Sequence, residues 1–101
     1  MLKRMIGLML TDHIPAGECM LFVFPRPGYH GIWMKNMLVP IDVLWLGDDM
    51  VVLDMRERLE PCRGFCKVNY PRERASYVLE LKAGEIRRNR IRRGTRIYAR
   101  L

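Results

Sequence analysis

A six-residue segment, Ile41–Leu46, is apolar except for Asp42, ends at Gly47-Asp48-Asp49 and is followed closely by an alternating segment, residues 51–56. An apolar run of this length bounded by turn residues is typical of a buried strand, and a short glycine-aspartate turn joins antiparallel neighbours. In the second segment apolar side chains alternate with Asp54 and Arg56, which predicts one packed side and one solvent-facing side. The sequence therefore predicts an antiparallel hairpin.

Other short segments extend this pattern along the chain. Further strands are predicted over residues 19–24, 30–35, 77–82 and 95–101. Short helices are predicted at residues 2–10 and from Ala83-Gly84-Glu85 through Asn89, and a long irregular connection at residues 57–76. Open sheet edges are an aggregation risk in a chain of 101 residues. We therefore predict a single mainly β (α+β) domain, residues 1–101, with a small antiparallel β-barrel or barrel-like sheet and one or two short helices.

The net charge of +7 comes from the end of the chain. Residues 1–81 hold ten basic and ten acidic side chains, whereas residues 82–101 hold eight basic side chains and Glu85. This basic C-terminal segment is either a solvated face or a surface that attracts phosphates, anionic lipid headgroups or acidic proteins. Its candidate nucleic-acid-binding residues are Arg87, Arg88, Arg90, Arg92, Arg93, Arg96 and Arg100. Arginine outnumbers lysine fourteen to four, a bias that accompanies either thermophily or biased base composition.

The start of the chain imitates a secretory signal, with Lys3 and Arg4 before apolar residues. The apolar run that follows, residues 5–10, is too short for a signal peptide, and no cleavage site follows it. No apolar stretch approaches the ~20 residues that a membrane-spanning helix needs. An odd number of cysteines argues against a secreted disulfide framework. We therefore predict a cytoplasmic protein without a membrane span.

Cys62 and Cys66 are separated by three residues and lie beside Arg63 and Lys67. This arrangement is compatible with a local disulfide, a metal site or a thiol of lowered pKa. A closed zinc site needs four ligands, and the other two would have to come from distant segments. We therefore expect unpaired loop thiols, no metal and no cofactor.

The densest polar content within apolar sequence lies at Lys35, Asn36 and Asp42. One interpretation is a small polar pocket, with Trp33 as the apolar wall for a sugar, a base or another flat ligand. The other is structural, with a Lys35–Asp42 ion pair that fixes the connection between two strands. The candidate ligand-binding residues are His30, Trp33, Lys35, Asn36, Asp42 and Glu80.

Nucleophilic catalysis needs a nucleophile, a base in contact with it and a third group that orients the base. The sequence contains no nucleophile elbow, zinc-protease motif, phosphate loop or dinucleotide fingerprint, and Ser76 is its only serine. An acid–base pair of His30 with Asp42 or Glu80 remains the enzymatic hypothesis, for a small hydrolase-like enzyme.

The segment from Gly31 to Leu44 contains Trp33-Met34-Lys35-Asn36 followed by Pro40-Ile41-Asp42. It resembles the signature of the domain of unknown function 192 family, a prokaryotic group of small, mostly β domains. Other matching segments follow the family's order over essentially the whole chain. They are Gly7-Leu8-Met9, residues 17–25, Glu60-Pro61-Cys62, Tyr70-Pro71, residues 75–81, Ala83-Gly84, Ile91 and Gly94.

The resemblance implies an opening helix at Gly7-Leu8-Met9. Only six residues precede Gly7, so the family's initial strand is shortened or missing, which leaves a barrel edge open or filled by another subunit. Similar domains tend to have glycine where this chain has Arg90. We therefore expect the left-handed helix end to fall on Asn89 or to be replaced by another turn. The family has no settled biochemical activity, and the resemblance implies no reaction.

These observations favour a non-catalytic binding or accessory module with a polar pocket around the Trp-Met-Lys-Asn motif. Its partner would be an unidentified small molecule or a peptide segment, and an open sheet edge would allow a homo-oligomer. The alternative is a nucleic-acid-binding module that acts through the basic C-terminal segment.

Overall fold

The computed structural model describes the backbone of residues 2–5, 7–9 and 19–100. Its strands are β1 (Leu2–Met5), β2 (Gly7–Met9), β3 (Cys19–Gly28), β4 (Ile32–Trp33), β5 (Ile41–Leu46), β6 (Val52–Leu59), β7 (Val68–Asn69), β8 (Ala75–Lys82) and β9 (Tyr98–Arg100), with a helix α1 (Glu85–Arg88) after β8. The predicted mainly β fold is confirmed. Over these residues, no helix is long and apolar enough to cross a membrane.

Five strands form an antiparallel sheet in the order β1-β3-β8-β5-β6. The predicted hairpin of β5 and β6 is confirmed, and its turn is closed by hydrogen bonds from Gly47 N to Val51 O at 3.0 Å and from Met50 N to Gly47 O at 2.9 Å. Within the described residues β1 and β6 are the two edges of this sheet. The sheet is therefore barrel-like and open, not a closed barrel.

Hydrophobic residues cover both faces of the five-stranded sheet. The core on one face consists of Cys19, Leu21, Leu44, Leu46, Val52, Leu79, Leu81, Ile86, Ile91 and Ile97. The core on the other face consists of Phe22, Met34, Ile41, Val43, Trp45, Ala75 and Val78. Because β8 lies in the middle of the sheet, its consecutive residues Val78 and Leu79 are both fully buried.

The opening helix predicted at residues 2–10, and implied again at Gly7-Leu8-Met9, is wrong. Strand β1 pairs with β3, and β2 pairs with β9. Long-range strand pairing overrides the local helical pattern, as it often does for short apolar segments. A shortened initial strand and an oligomer through an open edge both stay predictions.

Strands β3 and β4 also differ in length from the prediction. Strand β3 continues past residue 24 to Gly28, and a register shift after Val23 marks an irregularity there. Prolines are tolerated at such a bulge because no ladder hydrogen bond is required of them. Strand β4 is limited to Ile32–Trp33 and pairs with β7, inside the segment predicted to be irregular. Together β4 and β7 form a two-stranded ribbon against the second core.

The predicted helix at the end of β8 is confirmed as α1, but its end was placed wrongly. Asn89 has a φ of −99°, and Arg90 adopts the left-handed conformation with a φ of 54°. Ile91 N donates to Ile86 O at 2.9 Å and Arg90 N to Arg87 O at 3.2 Å, which is the Schellman pattern. Burial of Ile86 and Ile91 in one core holds arginine where glycine is favoured.

Candidate ligand-binding face

Residues 29–35, which include β4, alternate strictly between inward and outward side chains. His30 and Ile32 are half-buried and Met34 is buried. Tyr29, Gly31, Trp33 and Lys35 are exposed. Alternation of this kind places the exposed side chains together on the outer side of the ribbon.

Tyr70 joins this outer side from the second strand of the ribbon. The antiparallel register of Ile32 with Asn69 and Trp33 with Val68 brings Tyr70 opposite Gly31. A Cβ atom added to Gly31 would lie 2.5 Å from Val68 Cγ1 and 2.8 Å from Tyr70 Cε1. The tyrosine ring therefore packs directly on the glycine backbone and occupies the place of a side chain at position 31.

Three aromatic side chains thus share one outer surface, which we term the aromatic face: Tyr29, Tyr70 and Trp33. Their exposed fractions are 54%, 58% and 55%, respectively. Tyr70 packs on Gly31, and positions 29 and 33 lie two residues before and after that glycine, position 33 within β4 and position 29 between β3 and β4. Half-exposed aromatic side chains on one surface are available for contact with a ligand, because each ring keeps an accessible part.

A cation lies over each end of the aromatic face. The Nζ atom of Lys35 is 5.4 Å from the centroid of the Trp33 ring. The guanidinium carbon of Arg74 is 5.9 Å from the centroid of the Tyr29 ring. Both distances fall within the range of cation–π attraction. The face is therefore aromatic along its length and positively charged at both ends.

The inner side of the ribbon is attached to the five-stranded sheet. The indole Nε1 of the buried Trp45 donates to His30 O at 2.7 Å. Cys62 N donates to Met34 O at 3.1 Å, and Lys35 pairs with Cys62 as an isolated bridge. These bonds fix the backbone from which the outer side chains project.

Asp54 binds the segment that follows β7 and is not among the predicted site residues. It was expected on a solvent-facing side of β6, yet it is 1% exposed. Its carboxylate accepts hydrogen bonds from Met55 N and Arg72 N, each at 2.9 Å, and pairs with Arg56 Nη1 at 3.0 Å. Burial favours the neutral acid, but these hydrogen bonds and the guanidinium charge outweigh it and lower the pKa of Asp54.

Asp42 is a structural residue and does not line a pocket. It is fully buried, and its Oδ1 accepts from Arg58 N at 2.9 Å. Its Oδ2 accepts from Gly84 N at 3.1 Å and from Ile86 N at 2.9 Å. The expected Lys35–Asp42 ion pair is not formed, since none of the ion pairs between described residues includes Lys35. Lys35, which is exposed, and Asp42, which is fully buried, therefore do not line one polar pocket.

His30 also has structural partners. Its ring stacks on Phe24 with a centroid distance of 3.6 Å, and its Nε2 lies 3.0 Å from Arg26 O. Glu80 lies on β8 opposite Met20 and Val43, and it is half-buried. The structure does not join His30 to Asp42, which removes one of the two acid–base pairs considered for catalysis.

Asn36 is exposed and occupies a turn at the end of the ribbon. Its φ of 65° is left-handed, and Met37 N donates to Met34 O at 3.2 Å across the turn. Asparagine tolerates this conformation better than most residues. Of the six candidate ligand-binding residues, the structure therefore places Trp33, Lys35 and Asn36 together at one end of the aromatic face.

The arginines of the basic C-terminal segment from Arg87 to Arg96 are exposed, and several have carboxylate partners. Arg87 lies 3.8 Å from Glu57, Arg88 3.7 Å from Glu85 and Arg93 3.9 Å from Asp54. Arg90, Arg92 and Arg96 are exposed without an ion pair to any described residue. The side chain of Arg100 lies outside the described residues.

The expectation of unpaired loop thiols is wrong for Cys62 and Cys66. These two residues form a disulfide, whereas Cys19 is buried in the first core. The disulfide closes a short loop next to the Lys35–Cys62 bridge. Among the described residues, no group of three or more His, Cys, Asp or Glu side chains is arranged to hold a metal ion.

The profile of the DUF192 family, described as "Uncharacterized ACR", matches residues 1–99. The chain belongs to this family. The resemblance drawn from the Trp33-Met34-Lys35-Asn36 motif is thereby confirmed. In this DUF192 chain the motif contributes one end of the aromatic face, and the buried Asp42 that follows it binds backbone amides.

Two solved structures share the fold of this DUF192 chain. One is described as a "putative transcription regulator" from Sinorhizobium meliloti 1021, with 22% identity and a TM-score of 0.73 over 97% of this chain and 94% of that chain. The other is a protein of unknown function from Novosphingobium aromaticivorans DSM 12444, with 24% identity and a TM-score of 0.70 over 94% of this chain and 65% of that one. A comparison with curated protein sequences gives no match.

Proposed function

We propose that this protein is a non-catalytic binding module whose ligand lies on the aromatic face. The observation that carries the proposal is that Tyr29 and Trp33 occupy alternate outward positions on either side of Gly31, on which Tyr70 packs, and that each ring is more than half exposed. Large apolar rings are normally withdrawn from water, and a group of exposed rings is typical of an interaction site. Rings of this type bind flat or ring-shaped groups by stacking.

The rigidity of the ribbon supports the same proposal. The segment just before β4 is held by the hydrogen bond from Trp45 to His30 O, and the segment just after β7 is held by the hydrogen bond from Arg72 N to the buried Asp54. The rings therefore project from a backbone that is already ordered. The protein therefore loses little conformational entropy when a ligand stacks on the rings, which favours binding.

The test uses the two tryptophans, which differ in environment. Trp45 is fully buried and Trp33 is 55% exposed. In a two-dimensional NMR spectrum of ¹⁵N-labelled protein, the Trp33 indole signal is identified by its loss in Trp33→Phe. We titrate three probes separately: a short oligothymidylate, cellohexaose and an acidic proline-rich peptide. We expect at least one probe to shift the Trp33 indole signal.

A matched control separates the aromatic face from any other exposed ring. Tyr98 is 48% exposed and lies in the basic C-terminal segment. Binding of the active probe should weaken in Tyr70→Leu and remain unchanged in Tyr98→Leu. If no probe shifts the Trp33 signal, or if Tyr70→Leu binds as well as the unmodified chain, the aromatic face is not the ligand site.

A second candidate function is nucleic-acid binding through the basic C-terminal segment. It is favoured by the exposure of Arg90, Arg92 and Arg96 without carboxylate partners among the described residues. The double variant Arg92→Gln/Arg96→Gln should then weaken oligonucleotide binding and flatten its dependence on salt. Equal binding by the variant and the unmodified chain would contradict this candidate.

A further inference from the structure

The spacing of the three rings restricts the ligands that can stack on all of them. Positions 29 and 33 are four residues apart, which corresponds to about 13 Å for an extended backbone, and β4 forms the last two residues of this segment. Tyr70, opposite position 31, divides this interval into two steps of about 6.5 Å. Each step is about twice the 3.4 Å between successive stacked bases of one strand in duplex DNA.

A chain of flat groups with this separation matches a single nucleic-acid strand whose bases are unstacked from each other. Proteins that bind single strands hold successive bases on separate aromatic side chains, whereas the bases of a duplex are stacked and inaccessible. Three rings in a row would therefore accept three consecutive bases.

The charge around the rings favours a phosphate-linked chain over a neutral one. Residues 29–35 and 67–74 contain four basic side chains and one acidic side chain: Lys35, Lys67, Arg72, Arg74 and Glu73. Lys35 and Arg74 lie over the two end rings. A neutral oligosaccharide would use the rings but would gain nothing from these cations, whereas each cation can neutralise a phosphate of a single strand.

We propose that the ligand of the aromatic face is single-stranded nucleic acid, with one base on each ring and backbone phosphates near Lys35 and Arg74. This inference rests on the proposed function of the face and names its ligand class. On binding, each end base takes the ring face, and the cation over that ring moves to a neighbouring phosphate. Lys35 and Arg74 thus contact aromatic rings in the free protein and phosphates in the complex.

The test is the fluorescence anisotropy of a labelled oligothymidylate at several salt concentrations. Tyr70→Leu and, separately, Trp33→Leu should each weaken binding about 5- to 150-fold, the effect of losing one stacked base. Lys35→Gln and Arg74→Gln should each reduce the slope of log affinity against log salt by about 0.7. The unlabelled single strand should compete, and its duplex should not. The Trp45 indole signal checks that each variant is folded.

Three outcomes would overturn the inference. If Arg92→Gln/Arg96→Gln abolishes binding while Tyr70→Leu and Trp33→Leu do not change it, the strand binds the basic C-terminal segment. If cellohexaose shifts the Trp33 signal and oligothymidylate does not, the aromatic face binds sugars, so the ligand class is wrong and the proposed function stands. If none of the probes affects Trp33, the inference and the proposed function fail together.

Discussion

The guanidinium group of Arg56 donates from Nη2 to the carbonyl oxygen of Tyr70 over 3.1 Å. Its Nη1 pairs with the buried Asp54 at 3.0 Å, and the group lies 5.5 Å from the centroid of the Trp45 ring. Arg56 therefore connects the backbone of one aromatic-face residue to a buried charge of the main sheet. The bond explains how Tyr70, which follows a strand of only two residues, is held over Gly31.

Replacing Arg56 tests this connection. Arg56→Met removes hydrogen bonds to a buried carboxylate and to Tyr70 O, and we expect the free energy of unfolding to fall by about 1.5–3 kcal/mol. Urea denaturation followed by Trp45 fluorescence measures the change. Arg93→Met is the control, because Arg93 is 52% exposed and 3.9 Å from the same carboxylate. A pair of that kind contributes less than about 1 kcal/mol, and equal losses in the two variants would contradict the role given to Arg56.

The lowered pKa of Asp54 predicts how stability depends on pH. A carboxylic acid whose pKa in the folded state lies below its ordinary value of 3.8 stabilises the fold at higher pH. That contribution is complete above about pH 5 and is lost as the pH falls below about 4 and through the folded-state pKa. The difference in unfolding free energy between the unmodified chain and Asp54→Asn should therefore shrink toward low pH. A difference that stays constant from neutral to acidic pH would show that Asp54 contributes no proton linkage.

Asp42 provides a prediction about a carboxylate that binds only backbone amides. In Asp42→Asn one of the three N–H donors faces an amide NH₂ group, and a buried unsatisfied donor costs about 1–3 kcal/mol. We expect a loss of about 2–3 kcal/mol in the free energy of unfolding, measured in urea. Asp48, exposed in the turn between β5 and β6, is the control. Asp48→Asn should stay within about 0.5 kcal/mol of the unmodified chain, and an equally small effect at Asp42 would mean that its three hydrogen bonds are dispensable.

The left-handed Arg90 predicts a stabilising substitution. A non-glycine residue in this conformation destabilises the fold by about 1–2 kcal/mol. Substitution by glycine recovers only part of this free energy, because glycine is more flexible in the unfolded chain. Arg90→Gly should therefore raise the unfolding free energy by about 0.5–1 kcal/mol, and thermal unfolding measures the gain. Arg92→Gly is the control, since Arg92 does not have a positive φ. A gain in the control, or none in Arg90→Gly, would contradict the strain assigned to Arg90.

Local patterns predicted the parts of the fold that depend on neighbouring residues. The strand β5, its turn and α1 each follow from a short run of sequence. The N-terminal strands and the burial of Asp54 depend on partners far along the chain, and no local pattern carries that information. For this reason the periodicity of residues 2–10 alone predicts a helix.

The sequence predicts only part of the candidate site, again because distant segments bring some of its residues together. Lys35 and Asn36 are predicted because polar residues interrupt an apolar motif, and Trp33 is predicted as an apolar wall beside them. Tyr29 and Tyr70 were missed, although the spacing of Tyr29, Gly31, Trp33 and Lys35 shows the alternation of one strand face. Tyr70 could not be added without the register of β4 with β7, which only the structure supplies.

Gly31 is the position at which the aromatic face is most easily damaged. In Gly31→Ala the new Cβ would approach Val68 Cγ1 to 2.5 Å and Tyr70 Cε1 to 2.8 Å, so both side chains must move. Overpacking of this kind costs about 1–3 kcal/mol, and displacement of the Tyr70 ring should also weaken the binding of any ligand that stacks on it. Val68→Ala removes the closer of the two atoms. The double variant Gly31→Ala/Val68→Ala should therefore lose less stability than the sum of the single variants, with a coupling of at least about 0.5 kcal/mol in urea denaturation. Simple additivity would show that the tyrosine and valine do not pack on the glycine as described.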